Sequence, residues 1–216
     1  MDKSTETKIN RFIDKLAQVE VGNNVYNQYS YTEPENAIRR HNLKLYLSEI
    51  YHLNPQYLLL SEAPGYKGMR LTGVPFTSEI KLLEGITPWG IFGSEKGYSK
   101  TSEFQQPQKE QSATIVWDTF VSLNQVLLSW PSFPFHPHKA ESQWSNRKPT
   151  PEEVQIGQEF FTELAEIFGI KKFIAVGRVA QKILLNKNIS YDYVRHPANG
   201  GKNKFQEGLF GTIRNK

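Results

Sequence analysis

Four short apolar runs, each closed by a polar or Gly/Pro-rich turn, constrain this chain more than any other feature. They are YLLLS (57–61), VLLSW (126–130), KKFIAVG (171–177) and YDYVR (191–195). Runs of this length bounded by turns predict strands, and YLLLS, with no polar alternation, one buried on both faces. The first is bounded by Asn54-Pro55 before it and Pro64-Gly65 after it. Between the runs the apolar spacing turns helical. Ile9, Phe12, Ile13 and Leu16 predict an N-terminal helix, and Ile38, Leu43, Tyr46 and Leu47 a second. ATIVWDTFVSL (113–123) and VAQKILLN (179–186) predict two more. The clearest helix start is Thr150-Pro151-Glu152-Glu153, an N-cap, a first-turn proline and a capping-box glutamate in order. Phe160, Phe161, Leu164 and Phe168 form that helix's apolar face, and Gly169 stands at its C-terminal cap. The stretch 22–36 reads as loop, and 80–111 is polar and Gly-rich, with Trp89 and Phe92 as candidate anchors.

Strands alternating with helices imply an α/β fold, a three-layer α/β/α arrangement around a mostly parallel four-stranded sheet. We read residues 1–216 as one domain, with 1–50 as its helical N-terminal part. In such sheets ligands bind outside the carboxyl ends of the strands. At that edge stand Glu62-Ala63-Pro64-Gly65, Trp130-Pro131-Ser132, Gly177-Arg178 and His196-Pro197-Ala198-Asn199.

The chain has no cysteine, which excludes disulfides, thiolate clusters and a cysteine nucleophile. The opening MDKSTETKINRF has no apolar signal core and no run approaches a membrane span, so a cytoplasmic protein is expected. A net charge of +4 permits a polyanionic partner without requiring one. No GxGxxG, Walker loop or GxSxG is present.

Glu62 follows a strand directly. It either projects into the crevice as a working carboxylate or caps the next turn. A lone histidine is more often structural, but His196 sits between Arg195 and a Gly200-Gly201 loop carrying Lys202 and Lys204, a context suited to an anion. Phe76, in Gly73-Val74-Pro75-Phe76, either stacks on a base or plugs the core, and on its own chemistry the core is favoured. His136-Pro137-His138 has two imidazoles but no third ligand at a suitable spacing, so no metal site is expected.

Taken together, Ser61-Glu62-Ala63-Pro64-Gly65 after the first strand and His196-Pro197-Ala198 after the last resemble paired motifs of the uracil-DNA glycosylase superfamily. Gly73-Val74-Pro75-Phe76 looks like its uracil-stacking segment. Asn146-Arg147-Lys148-Pro149-Thr150-Pro151 with AVGRVAQKIL resembles the branch nearest the iron–sulfur glycosylases. The likeness runs from about residue 40 to the C-terminus.

The resemblance implies a monofunctional DNA glycosylase that hydrolyses the N-glycosidic bond of a flipped deaminated base, with uracil the expected base and DNA the partner. It implies Glu62 and His196 as catalytic residues. Ala63, Pro64, Gly65 and Phe76 would enclose the base, and Arg195, Asn199 and Lys202 would contact DNA. No cofactor is implied. The chain departs from the pattern in several places. Ser61 replaces a usual glycine, Ala63 stands where one branch has a water-activating aspartate, and the cluster cysteines are missing. The family's base-reading asparagine is replaced by Trp130, Pro131 and Ser132, of which Ser132 is the candidate substitute, while Asn124 precedes the strand at the wrong end. These departures keep open a second reading, a catalytically weakened or inactive DNA-binding relative.

Overall fold

The structure is a computed structural model and describes residues 1–214. In chain order its elements are α1 (Lys3–Gln18), β1 (Val25–Tyr26), α2 (Asn36–His52), β2 (Tyr57–Ser61), α3 (Met69–Thr72) and α4 (Glu79–Glu84). Then come α5 (Gln111–Leu123), β3 (Leu128–Pro131), β4 (His136–Pro137), α6 (Pro151–Phe168), β5 (Lys172–Val176), α7 (Gly177–Asn186), β6 (Tyr191–Val194) and α8 (Lys202–Arg214).

The four apolar runs form one sheet in the order β3-β2-β5-β6, and all three pairings are parallel. Helices cover both faces, so β2 and β3 are buried throughout and β5 after its first residue, while the edge strand β6 stays partly exposed. Successive side chains of a strand point to opposite faces. Trp130 accordingly turns to α1, where Phe12 meets it edge-on at 5.2 Å and in turn meets Phe160 of α6 at 5.9 Å. Ser129 turns the other way, and its N–H donates to the Tyr46 hydroxyl of α2 at 3.1 Å. The chain reverses direction across the sheet between β2 and β5, so the crevice should open at their carboxyl ends.

The caps of α6 are those the sequence spells. Thr150 accepts from Glu153 N–H, Glu153 accepts from Thr150 N–H, and Gly169 closes the helix in the left-handed region at φ 64°. Mid-helix, Gly157 has another reason. A Cβ there would lie 1.9 Å from the Ser132 carbonyl oxygen, so this helix can cross the exit of β3 only without a side chain. Gly157→Ala is expected to cost about 1–3 kcal/mol through forced separation of α6 from the sheet, read as a lowered denaturant midpoint at unchanged slope.

Three readings need correction. VLLSW starts two residues too early and stops one too soon, because β3 begins at Leu128 and ends on Pro131, its last residue paired with Ser61. The 22–36 stretch is not all loop: Val25–Tyr26 pairs antiparallel with His136–Pro137. The polar 80–111 segment contains most of α4, and Phe92 anchors it, buried among Tyr46, Tyr98 and Trp117 at 5.1–6.0 Å. Finally, Lys202 and Lys204 belong not to a loop but to the first turn of α8, whose Phe205, Leu209 and Ile213 recur at helical spacing. Among the described residues no helix is long and apolar enough to cross a membrane.

Candidate functional site

A cleft of about 510 Å³ opens at the carboxyl ends of the strands. Both motif turns reach it: Ser61 to Gly65 after β2, and Arg195, His196, Ala198 and Asn199 after β6. Residues 177–179 at the start of α7 lie between them, and Pro75 to Thr77 and Asn146 to Lys148 complete the wall.

Glu62 is half-buried on this wall. Its backbone carbonyl accepts from Phe133 N–H at 3.1 Å, which prolongs the β2–β3 pairing by one step. Among the described residues its carboxylate accepts no hydrogen bond, so it does not cap the next turn. Burial pushes this carboxyl above its ordinary range, against the pull of Lys148. The second carboxylate at the cleft, Glu110, is committed: it accepts from Ser112 and Ala113 N–H as the N-cap of α5.

His196 is held in one tautomer. Its Nδ1 accepts from Ala198 N–H at 3.1 Å, which leaves the proton on Nε2 as a free donor. Burial, helped by the adjacent Arg195 charge, pushes its pKa down, so the ring is neutral near pH 7. The turn is tight because Gly201 packs on it. A Cβ at Gly201 would sit 2.0 Å from the His196 carbonyl oxygen.

Phe76 also faces the cleft, partly buried, with φ at 46°. A bulky residue in the left-handed region costs about 1–2 kcal/mol. Its carbonyl is pinned by Trp117 Nε1–H at 2.9 Å, which offsets part of that cost. Gly65 looks onto open space, since a Cβ built there meets nothing within 4 Å. Ala63 and Pro64 complete this part of the wall. Pro64 is braced from behind by His136, whose Nδ1 lies 2.8 Å from its carbonyl oxygen and whose Nε2 lies 3.1 Å from that of Gln143. Burial pushes His136 down to about 4, so the neutral ring has one proton, and the shorter contact to Pro64 is where we place it. His138 Nδ1 is 2.9 Å from the Lys139 carbonyl. The histidine pair therefore faces backbone carbonyls.

Two expected contacts do not reach the cleft. Ser132 is fully buried and its hydroxyl donates to the Ser61 carbonyl at 2.6 Å, so it clamps the exits of β2 and β3 together. Lys202 lies on α8 outside the cleft wall. Asn124 caps α5 at the opposite edge of the sheet, also in the left-handed region.

Sequence reasoning singled out the stretch 146–151 but missed that its Asn146 brings an amide to the site. Asn146 lines the cleft, and its Oδ1 accepts from Tyr66 N–H at 3.0 Å, leaving Nδ2 to donate. Lys148 beside it is the cation facing Glu62. The segment is fixed by Arg147, which reaches both oxygens of Glu153 at 2.6 and 2.7 Å and the His138 and Asn24 carbonyls at 3.0 Å. The available signal was its position just before the capping box, whose glutamate serves both bonds. Arg178 and Arg195 are exposed at the rim and, with Lys148, give the mouth a positive charge.

No protein-family model matches the sequence, and no curated protein matches it. The structure is similar to that of wild-type SMUG2 from Pedobacter heparinus, with a TM-score of 0.63 and 16% identity, over 97% of this chain and 99% of that one. Wild-type UNG from Nitratifractor salsuginis superposes at a TM-score of 0.43 and 14% identity, over 98% and 91% of the two chains. The fold of this chain is thus the one seen in SMUG2.

Proposed function

We propose that the cleft hydrolyses the N-glycosidic bond of a deaminated base flipped out of DNA, with uracil the first base to test. The observation that carries this reading is the convergence of an unengaged Glu62 and a neutral His196 with a free Nε2–H on one cavity. Breaking the bond builds positive charge on the sugar and negative charge on the departing base. Glu62 stabilises the first and orients water. His196 Nε2–H donates to the base oxygen that takes up the second. Phe76 stacks on the base, Gly65 leaves the room it needs, and Asn146 Nδ2 supplies an amide donor. Lys148, Arg178, Arg195 and Asn199 stand where the phosphate backbone would pass. Repair of DNA is the setting this chemistry suggests.

The buried exit of β3 favours one specific weakening. With no amide there and Asn146 entering from another side, base discrimination should be broader or turnover slower than where such an amide reads the base. The test is release of free base from oligonucleotides carrying uracil, hypoxanthine or xanthine, single- and double-stranded. Salt-sensitive DNA binding with no release from any of them would leave only the binding relative.

Two further outcomes follow from the geometry. The working form has Glu62 ionised and His196 neutral, and both groups reach it as pH rises, Glu62 through a raised pKa and His196 through a lowered one. Single-turnover release should therefore climb on the acid side and stay level across pH 6.5 to about 8. A decline on the alkaline side of 6.5 would mean that imidazolium, not imidazole, does the work. Gly201→Ala should cut release by roughly a hundredfold, because its Cβ must displace the His196 carbonyl. Oligonucleotide affinity should stay near wild type, and an unchanged rate would show that the turn yields without moving the ring.

A further inference from the structure

Beside the cleft stands a surface indole with an unusual foundation. Trp144 is 37% exposed, yet one face lies on the Arg70 guanidinium, whose Cζ is 4.2 Å from the ring centroid. Phe104 meets it edge-on at 5.0 Å. Arg70 is itself buried and fixed by Glu103, which also holds the buried Arg39. Single exposed apolar residues are ordinary and need no explanation. An indole seated on a buried, paired guanidinium is different, because its position is fixed from below.

The loop that carries the indole leads to the cleft, which Asn146 lines. That loop is tied to the Pro64 turn through His136 and the Gln143 carbonyl, and two residues on from Trp144, Asn146 binds Tyr66 N–H inside the cleft wall. Lys67 is next to Tyr66, its Nζ 5.7 Å from that ring, and it is solvent-exposed. A flat aromatic surface with an exposed lysine on the neighbouring turn fits a nucleobase followed by its phosphate. In a duplex each base keeps both faces stacked on its neighbours, whereas an unpaired base offers one.

We propose that Trp144 is a stacking platform for an unpaired nucleobase next to the one in the cleft, which makes single-stranded DNA a preferred partner. This rests on the DNA reading of the cleft but not on its catalysis, and the test uses undamaged DNA. Titrating the protein with an oligothymidine should quench indole fluorescence. Trp117 and Trp130 are buried, so the signal must come from Trp144 or Trp89. Trp89→Phe should keep the quench and Trp144→Phe should lose it. Trp144→Ala should bind the single strand roughly tenfold to a hundredfold more weakly, with affinity for an undamaged duplex changed less than about twofold.

A full quench in Trp144→Phe, unchanged single-strand affinity in Trp144→Ala, or an equal loss on both DNA forms would overturn the proposal. If the alanine variant fails to fold, the fluorescence of Trp144→Phe decides. Quenching with no base release from any damaged oligonucleotide would sink the glycosylase reading and leave the platform standing.

Discussion

His196→Ala is expected to lower release of uracil from an oligonucleotide by roughly 100- to 1000-fold, the usual effect of removing one preorganised donor at a developing anion. The size follows from how the donor is held. Ala198 N–H occupies Nδ1, so Nε2–H points outward before any substrate arrives, and the half-buried setting strengthens its bond to a charged base. His196→Asn keeps a donor of shorter reach and should retain part of the rate. Glu62→Gln removes the charge while keeping the shape, and should lower the rate with little change in DNA affinity. Its loss should also flatten the acid limb of the pH profile, since the raised carboxyl would no longer titrate. Single-turnover rates on one uracil oligonucleotide check all three, and a wild-type rate in His196→Ala would end the proposed mechanism.

Glu103→Gln should have the largest effect on stability, a loss of about 3–5 kcal/mol, the range for removing one partner of a buried ion pair. Arg39 and Arg70 are essentially buried, and Glu103, 19% exposed, is the carboxylate that both of them reach. Arg39 also donates to the Leu71 carbonyl at 3.2 Å and to Asn36 Oδ1 at 2.6 Å, and Arg70 lies over Tyr26 at 4.6 Å as well as Trp144. With the carboxylate neutralised, two buried guanidinium charges face each other without compensation.

The pH dependence carries a sign. Burial works against the Glu103 charge, but the hydrogen bonds and charges of Arg70 and Arg39 outweigh it and hold the carboxyl below its ordinary 4.5. A depressed folded pKa contributes stability that is complete above the unfolded value and vanishes as pH falls through the folded one. The gap between wild type and Glu103→Gln, measured by denaturant unfolding, should therefore be widest near neutrality and shrink in acid below about pH 4.5. A gap that stayed constant with pH would show that the loss comes from packing and not from charge. The same variant loosens the seat of Trp144, so its single-strand affinity should fall with that of Trp144→Ala.

Much of the site's address was legible in the chain. The runs at 57–61 and 171–177 could be placed because burial on both faces leaves a local signature, a short apolar string closed by a turn, whereas the half-exposed edge strand at 191–194 is marked mainly by the turn that closes it. Once those strands are parallel, Glu62 and His196 must stand at one edge, since each directly follows the carboxyl end of its strand. The third-residue capping bond of Thr150 and the left-handed glycine that ends α6 are equally local. The displaced β3 shows the limit: Val126 and Leu127 are apolar and buried, but buried apolar residues also fill the approach to a strand, and only pairing with Leu58 fixes where the ladder begins.

Pattern alone therefore decided the class of fold and the edge at which chemistry happens, because both depend on spacings of a few residues. Three-dimensional packing alone decided which amide enters the cleft, why Ser132 cannot, and that Arg39, Arg70 and Glu103 share one buried charge cluster. Those partners lie about 30 to 80 residues apart along the chain, as Arg70 with Glu103 and Tyr66 with Asn146 do. Nothing in the residues flanking either member encodes the other. Their pairing is set by where separate elements happen to cross, and the low dielectric of that crossing is what turns ordinary polar side chains into a site and its support.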